Sequence, residues 1–228
     1  DNDTKKALSG SEINAILLNR NLDNIPSTVN VQFGIITDFS WMRAYPSNAY
    51  GNKYTTDQFQ ETSLNVGEGV AIYHESSDQK WYYVQAQTYH GWVEKQYIAT
   101  CSFDTMKNFL KTDNKIVVIA DYVVLENAHV RMGQAFPLMS SGDNIYNISF
   151  PLRNDDGTLE LKEITINNDG NYSVGYLDYT YENLFKQCFK LLGIPYSWGD
   201  KEKLGRDCSS TQMSVYNTFG FMMPRNGG

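Results

Sequence analysis

Short runs in which apolar and polar positions alternate fill the middle of the chain. In WYYVQAQ, residues 81–87, Trp81, Tyr83 and Gln85 share one face of an extended strand and Tyr82, Val84 and Ala86 the other. VQFGIIT, GVAIYHES and GWVEKQYIA repeat that texture between residues 31 and 99, separated by Gly, Asn, Asp and Ser turns. Short strands at such spacing close most economically into a small barrel, predicted here over residues 31–104. A linking segment with helical spacing at Phe103, Met106 and Phe109/Leu110 leads into KIVVIADYVVLE, AFPLMSSGDNIYNISFPL, LELKEITI and YSVGYLD. NDDG at 154–157 is a hairpin signal, and the region predicts a second small barrel over residues 105–177.

At both ends the period becomes helical. Ile13, Ile16, Leu17 and Leu18 predict a short helix entered from Ser9 or Ser11, within an extension over residues 1–30. From Tyr179, Leu184, Phe185, Cys188, Leu191 and Leu192 fall on one helical stripe, with Asp178 or Thr180 as cap and Gly193 and Pro195 as stop. CSSTQMSVYNTFGF predicts a second helix with Val215, Tyr216 and Phe219 inward and Gly220 at its end. The expected fold class is mainly β, with an α+β part over residues 178–228.

Composition narrows the function classes. The chain has 228 residues, 41% hydrophobic and 20% charged, a globular profile with ample length for a core. Aromatics reach 14%, including 16 Tyr, which suits thin-cored β domains and surfaces that bind peptides or carbohydrate. A net charge of −7 without a basic stripe argues against nucleic acid and anionic membrane as partners. No apolar run approaches the ~20 residues that span a bilayer. The N-terminal segment has no signal-like apolar core, so the expectation is a cytoplasmic protein or one whose leader has been removed. The 3 cysteines, Cys101, Cys188 and Cys208, and the 3 histidines, His74, His90 and His129, have neither disulfide-framework nor metal-ligand spacing. No cofactor and no metal are expected.

One cysteine is unusually placed. Cys208 stands between Asp207 and Ser209 at the predicted start of a helix. Unpaired N–H groups and the positive dipole end there favour a thiolate, and the same groups can hold an oxyanion. Asp207 is placed to cap the helix or to bind a substrate amine, and Tyr196 to lend its hydroxyl to the same cleft. The plainer alternative is a buried core cysteine. Spacing alone leaves both open.

PYSWGDKEKLGRDCSS, residues 195–210, resembles the motif of the NlpC-type cell-wall peptidases, a papain-like family. In that family P-Y-x-W-G-G is followed by a short loop and by D-C-S-G opening the catalytic helix. GFMMPRN resembles the segment after that helix, and the likeness covers residues 179–228. The barrels resemble the bacterial SH3-like domains that precede the peptidase in γ-D-glutamyl-L-diamino acid endopeptidases, also called dipeptidyl-peptidase VI. WMRAYPS (41–47) and TYHGWVEKQYIA (88–99) are similar to a strand and the closing turn of the first such domain.

The resemblance implies two SH3-like barrels followed by the helical half of a peptidase domain. It makes Cys208 the nucleophile, with Tyr196 assisting at the oxyanion. Asp207 and Ser209 would contact an N-terminal L-Ala-γ-D-Glu, and Tyr89 would hold its free α-amine, unless Tyr89 is an ordinary loop aromatic. The partner is then a peptidoglycan stem peptide, L-Ala-γ-D-Glu-diamino acid, cut at the γ-glutamyl bond, and the setting is extracytoplasmic. An acidic amine pocket would reject peptides still joined to glycan, whose L-Ala nitrogen is an uncharged amide.

The chain also departs from that pattern. A cysteine peptidase needs an imidazole to take the thiol proton. In this family it follows the cysteine, whereas all 3 histidines here precede Cys208. His90, beside Tyr89, reads best as a turn residue. The expectation is that the catalytic sheet and its histidine lie in a remaining C-terminal part of a longer or cleaved protein, that the helices expose their stripes, and that this chain alone is inactive. Asp200 and Ser210 stand where the family has Gly. Competing expectations are a non-catalytic module that binds wall peptides, and an amidase or acyltransferase on the same scaffold.

Overall fold

The computed structural model describes residues 7–50 and 56–226; residues 1–6 of the N-terminal extension and the closing Gly227 and Gly228 lie outside the described residues. Seven antiparallel strands build the first sheet: β1 (Gln32–Ile36), β2 (Ser40–Arg43), β3 (Gln60–Leu64), β4 (Gly69–Glu75), β5 (Trp81–Gln85), β6 (His90–Glu94) and β7 (Ile98–Cys101). Their order is β3-β2-β6-β5-β4-β1-β7. In the alternating run, Val84 and Ala86 enter a core with Ile36, Met42, Ile72 and Val93. Trp81, on the opposite face, is also buried, in the cleft where Ala15 and Ile16 of the N-terminal extension approach.

That extension forms α1 (Gly10–Asn19), entered from Ser9 through a reciprocal capping box with Glu12. Its apolar residues are not buried, with Leu18 73% exposed. Polar groups hold it instead. The Ser77 N–H donates to the Asn19 carbonyl at 3.0 Å, and His74 Nε2 lies 3.0 Å from the Arg20 carbonyl.

After β7, α2 (Phe103–Leu110) starts at Ser102, whose hydroxyl accepts from the Thr105 N–H at 3.1 Å. The second β region has β8 (Lys115–Val118), β9 (Tyr122–Leu125), β10 (Ala128–Arg131), β11 (Ala135–Ser141), β12 (Ile145–Arg153), β13 (Leu159–Asn167) and β14 (Tyr172–Val174). β9 and β10 pair as a hairpin, and the others form a sheet in the order β13-β12-β11-β8-β14. NDDG makes the β12–β13 turn, with Gly157 at φ 89°, which glycine adopts without strain. The two β regions share hydrocarbon: Ile35, Val66 and Phe109 pack in one cluster with Ile116, Phe136, Ile148 and Phe150.

The C-terminal part consists of α3 (Tyr181–Lys190), capped by Thr180, and α4 (Cys208–Asn217), capped by Asp207. A bridge between Tyr196 and Arg206 closes the loop between them. Leu184, Leu191, Val215 and Phe219 meet around Met132 of the second β region. The apolar stripe of α3 divides rather than burying whole: Leu191 is 8% exposed, but Phe185 is 56%, Phe189 64% and Leu192 73%. The buried centre of α3 is Gln187, because this face meets the short α4 and nothing covers the other among the described residues. The fold is mainly β, with an α+β C-terminal part.

Candidate functional site

Cys208 is the first residue of α4 and is exposed, with its Sγ 4.0 Å from Ser209 Oγ. The core alternative for this thiol does not hold. The helix begins there because Asp207 adopts an extended backbone and its Oδ1 accepts from the Ser210 N–H at 2.9 Å. Ser210 answers by accepting from the Asp207 N–H at 3.0 Å. Ser209 is half-buried beside the sulfur.

Asp207 is 7% exposed, and its second oxygen forms an ion pair with Arg225. Its carboxylate thus serves the helix and Arg225 at once. Arg225 Nε also donates to Thr62 Oγ1 of β3 at 2.5 Å, tying the first sheet to the tip of α4. One residue from Thr62, Glu61 accepts a hydrogen bond from the Tyr89 hydroxyl at 2.6 Å, and Asn226, next to Arg225, bonds the same tyrosine. Tyr89 therefore reaches the Cys208 end of α4 through adjacent residues of β3 and of the C-terminal segment. The bond to Glu61 is the main reason the Tyr89 hydroxyl is held above the usual phenol range. Glu61 forms no ion pair among the described residues.

Tyr196 is 67% exposed, and its hydroxyl has no hydrogen-bond partner among the described residues. Its backbone neighbours are fixed: the Ser197 N–H donates to the Arg206 carbonyl at 3.0 Å and the Arg206 N–H to the Pro195 carbonyl at 3.1 Å.

The loop that leads to Cys208 is gripped from both sides. From the first sheet, Trp41 Nε1 donates to the Lys201 carbonyl at 2.8 Å, Gln60 Nε2 to the Gly199 carbonyl at 2.8 Å, and Asp57 pairs with Lys201 at 2.8 Å. From β10, Arg131 pairs with Asp200 at 3.1 Å and donates to the carbonyls of Glu202, Lys203 and Gly205. Arg206 is buried without an ion pair among the described residues, donating to Ser214 Oγ at 3.1 Å and the Asp121 carbonyl at 2.8 Å. Burial pushes its guanidinium down to about 10.

None of the 3 histidines is hydrogen-bonded to Cys208. His74 fastens α1, His90 Nδ1 lies 2.7 Å from the Tyr83 hydroxyl, and His129 stacks on Tyr122 at 5.8 Å. No cluster of metal-ligating side chains occurs among the described residues, and no described helix is long and apolar enough to cross a membrane. Glu61, Arg131 and Arg225 escaped the sequence reading. The only local sign of any of them is the Arg of MMPRN, which the family resemblance already included.

Residues 45–94 match the SH3 domain family of the SH3b1 type. No curated protein matches the chain in sequence. Among solved structures, an NlpC/P60 endopeptidase from Photobacterium damselae subsp. piscicida superposes with TM-score 0.79 at 22% identity, over 96% of this chain and 50% of its own. An NlpC/P60 family protein from Bacillus cereus gives TM-score 0.66 at 17% identity, over 86% of this chain and 75% of its own. The chain thus spans half the length of the Photobacterium enzyme. Together these matches show a mainly β protein that contains an SH3b1-type domain and shares the fold of NlpC/P60 endopeptidases.

Proposed function

We propose that this chain is the substrate-binding and nucleophile-bearing part of a cysteine endopeptidase acting on cell-wall peptides outside the cytoplasm. The observation that carries the reading is an exposed thiol at the first position of a capped helix. There the free amides of the first turn are available to a tetrahedral oxyanion that forms on attack by the sulfur. Cys208 attacks the γ-D-glutamyl carbonyl of L-Ala-γ-D-Glu-diamino acid. The amide C–N bond breaks as the diamino-acid amine leaves with the proton given up by the thiol, and water then releases L-Ala-γ-D-Glu from the thioester. The exposed Tyr196 hydroxyl assists at the oxyanion, and Ser209 and Asp207 line the L-Ala-γ-D-Glu side.

Because Arg225 already balances the charge of Asp207, the uncompensated acid for the peptide's ammonium is Glu61, oriented by Tyr89. A peptide with an acylated N-terminus brings no positive charge to that carboxylate. The base that takes the thiol proton comes from the part of the NlpC/P60 architecture that this chain does not span, so the chain alone binds without turnover.

The test is protection of Cys208 from iodoacetamide by L-Ala-γ-D-Glu-diaminopimelate. The free-amine peptide is expected to protect at least about tenfold better than its N-acetyl form, a difference of about 1.4 kcal/mol. Equal protection by both forms removes Glu61 and Tyr89 from amine recognition, and no protection by either sinks the reading. The absence of any histidine bonded to Cys208 favours a second reading, a wall-peptide-binding module without catalysis. Hydrolysis of the free-amine peptide by a longer protein carrying this chain separates the two.

A further inference from the structure

Asp200 holds a left-handed backbone, φ 56°, and is 3% exposed. A residue other than glycine keeps such a conformation only where its surroundings over-determine it. Here its carboxylate is gripped at both oxygens. Oδ1 accepts from the Asp207 N–H at 2.9 Å and from the Ser210 hydroxyl at 2.5 Å. Oδ2 accepts from the Ser63 hydroxyl at 3.2 Å and from Arg131 Nη1 at 3.1 Å. The donors come from β3, from β10 and from the tip of α4, so one carboxylate joins both sheets to the helix that carries Cys208.

We propose that Asp200 is a positioning residue for Cys208, and that the second β region acts on the thiol through it by way of Arg131. The proposal rests on the reading in which Cys208 is the nucleophile. The first turn of α4 sets where the Cys208 sulfur stands and which amides lie beside it. That turn cannot fray without breaking two bonds to Asp200. The carboxylate in turn cannot withdraw without leaving Arg131, 3% exposed, as a buried unpaired cation. Arg131 is fixed independently by three loop carbonyls, with its guanidinium 4.3 Å over the Phe39 ring. Asp200 and Ser210, both placed where the resembling family has Gly, are bonded to each other and act as one device.

The experiment compares iodoacetamide alkylation of Cys208 with that of Cys188, which is also exposed but lies on α3 away from Asp200. In the native chain Cys208, held at the tip of α4, is expected to react at least about tenfold faster. Two variants test the link. Ser210→Ala removes one bond to Asp200 together with the cap bond from the Asp207 N–H, which Asp200 Oδ1 still accepts, and leaves the ion pair intact. Asp200→Asn combined with Arg131→Met removes both charges together, so neither is left unpaired. Each is expected to cut the Cys208 advantage to about threefold or less with the melting transition still cooperative and Cys188 unchanged. An unchanged advantage in a folded variant overturns the positioning role while leaving the nucleophile reading intact. A native chain in which Cys208 is no faster than Cys188 overturns both. Should the double variant fail to fold, Ser210→Ala decides alone.

Discussion

Arg225 sits 163 residues from Thr62 and 18 from Asp207, yet it bonds both, and the Arg225 and Asp207 side chains are only 7% and 8% exposed. Arg225→Ala leaves Asp207 as a buried charge without its cation, which costs about 3–5 kcal/mol. Urea denaturation measures it, and a loss under about 1 kcal/mol would mean that water reaches the carboxylate. Glu68 gives stability a pH dependence. Burial raises its carboxyl above 4.5, against the Asn65 hydrogen bonds and the Arg131 charge, which pull it down. In the window between 4.5 and that raised value the unfolded chain has released a proton that the folded chain keeps, so stability falls as pH rises. Glu68→Gln keeps the oxygen that accepts from Asn65 and is expected to raise the melting midpoint at pH 7 but not at pH 4. An equal shift at both pH values would assign the effect to packing. That Asp207 caps α4 and Cys208 opens it was legible because helix-tip chemistry is local in sequence. The contacts of Glu61 and Arg131, and the partners of Arg225, were not, because they form only when distant segments meet.

Elements show the same division. β5, α2 and the β12–β13 turn follow directly from alternation, helical spacing and NDDG. β3, QETSL, carries no apolar alternation, yet Gln60 and Thr62 are 2% and 3% exposed. Its polar side chains are buried because they bond Gly199, Asp200 and Arg225, partners that no local pattern contains. Gly133, just after β10, shows how closely α4 rests on the second β region. At φ 88°, a Cβ there would lie 2.6 Å from Asn217 Cβ and 2.8 Å from the Ser214 carbonyl. Gly133→Ala combines backbone strain with overpacking and is expected to cost about 2–4 kcal/mol. A thermal melt that moves by less than about a degree would show that α4 slides aside freely. The open side of α3, with Phe185, Phe189 and Leu192, matches the expected exposure of the C-terminal helices only in part, because Leu191 and, from α4, Val215 and Phe219 are buried against Met132. The burial of Gln187 was hidden by the hydrophobic pattern.

For the whole molecule, the shared cluster around Phe136 and the clamped loop leave no seam at which the two β regions part. Calorimetry is expected to give one unfolding transition; two resolved peaks would show that the regions are energetically separate. The clamp also has a temporal side. Trp41 meets Lys201 across 160 positions, and Gln60 meets Gly199 across 139. A nascent chain emerging at about 5–20 residues per second offers both sheets before this loop exists, and the loop has nothing to hold until they have folded. The loop that presents Cys208 is therefore expected to take its shape only after both sheets are in place.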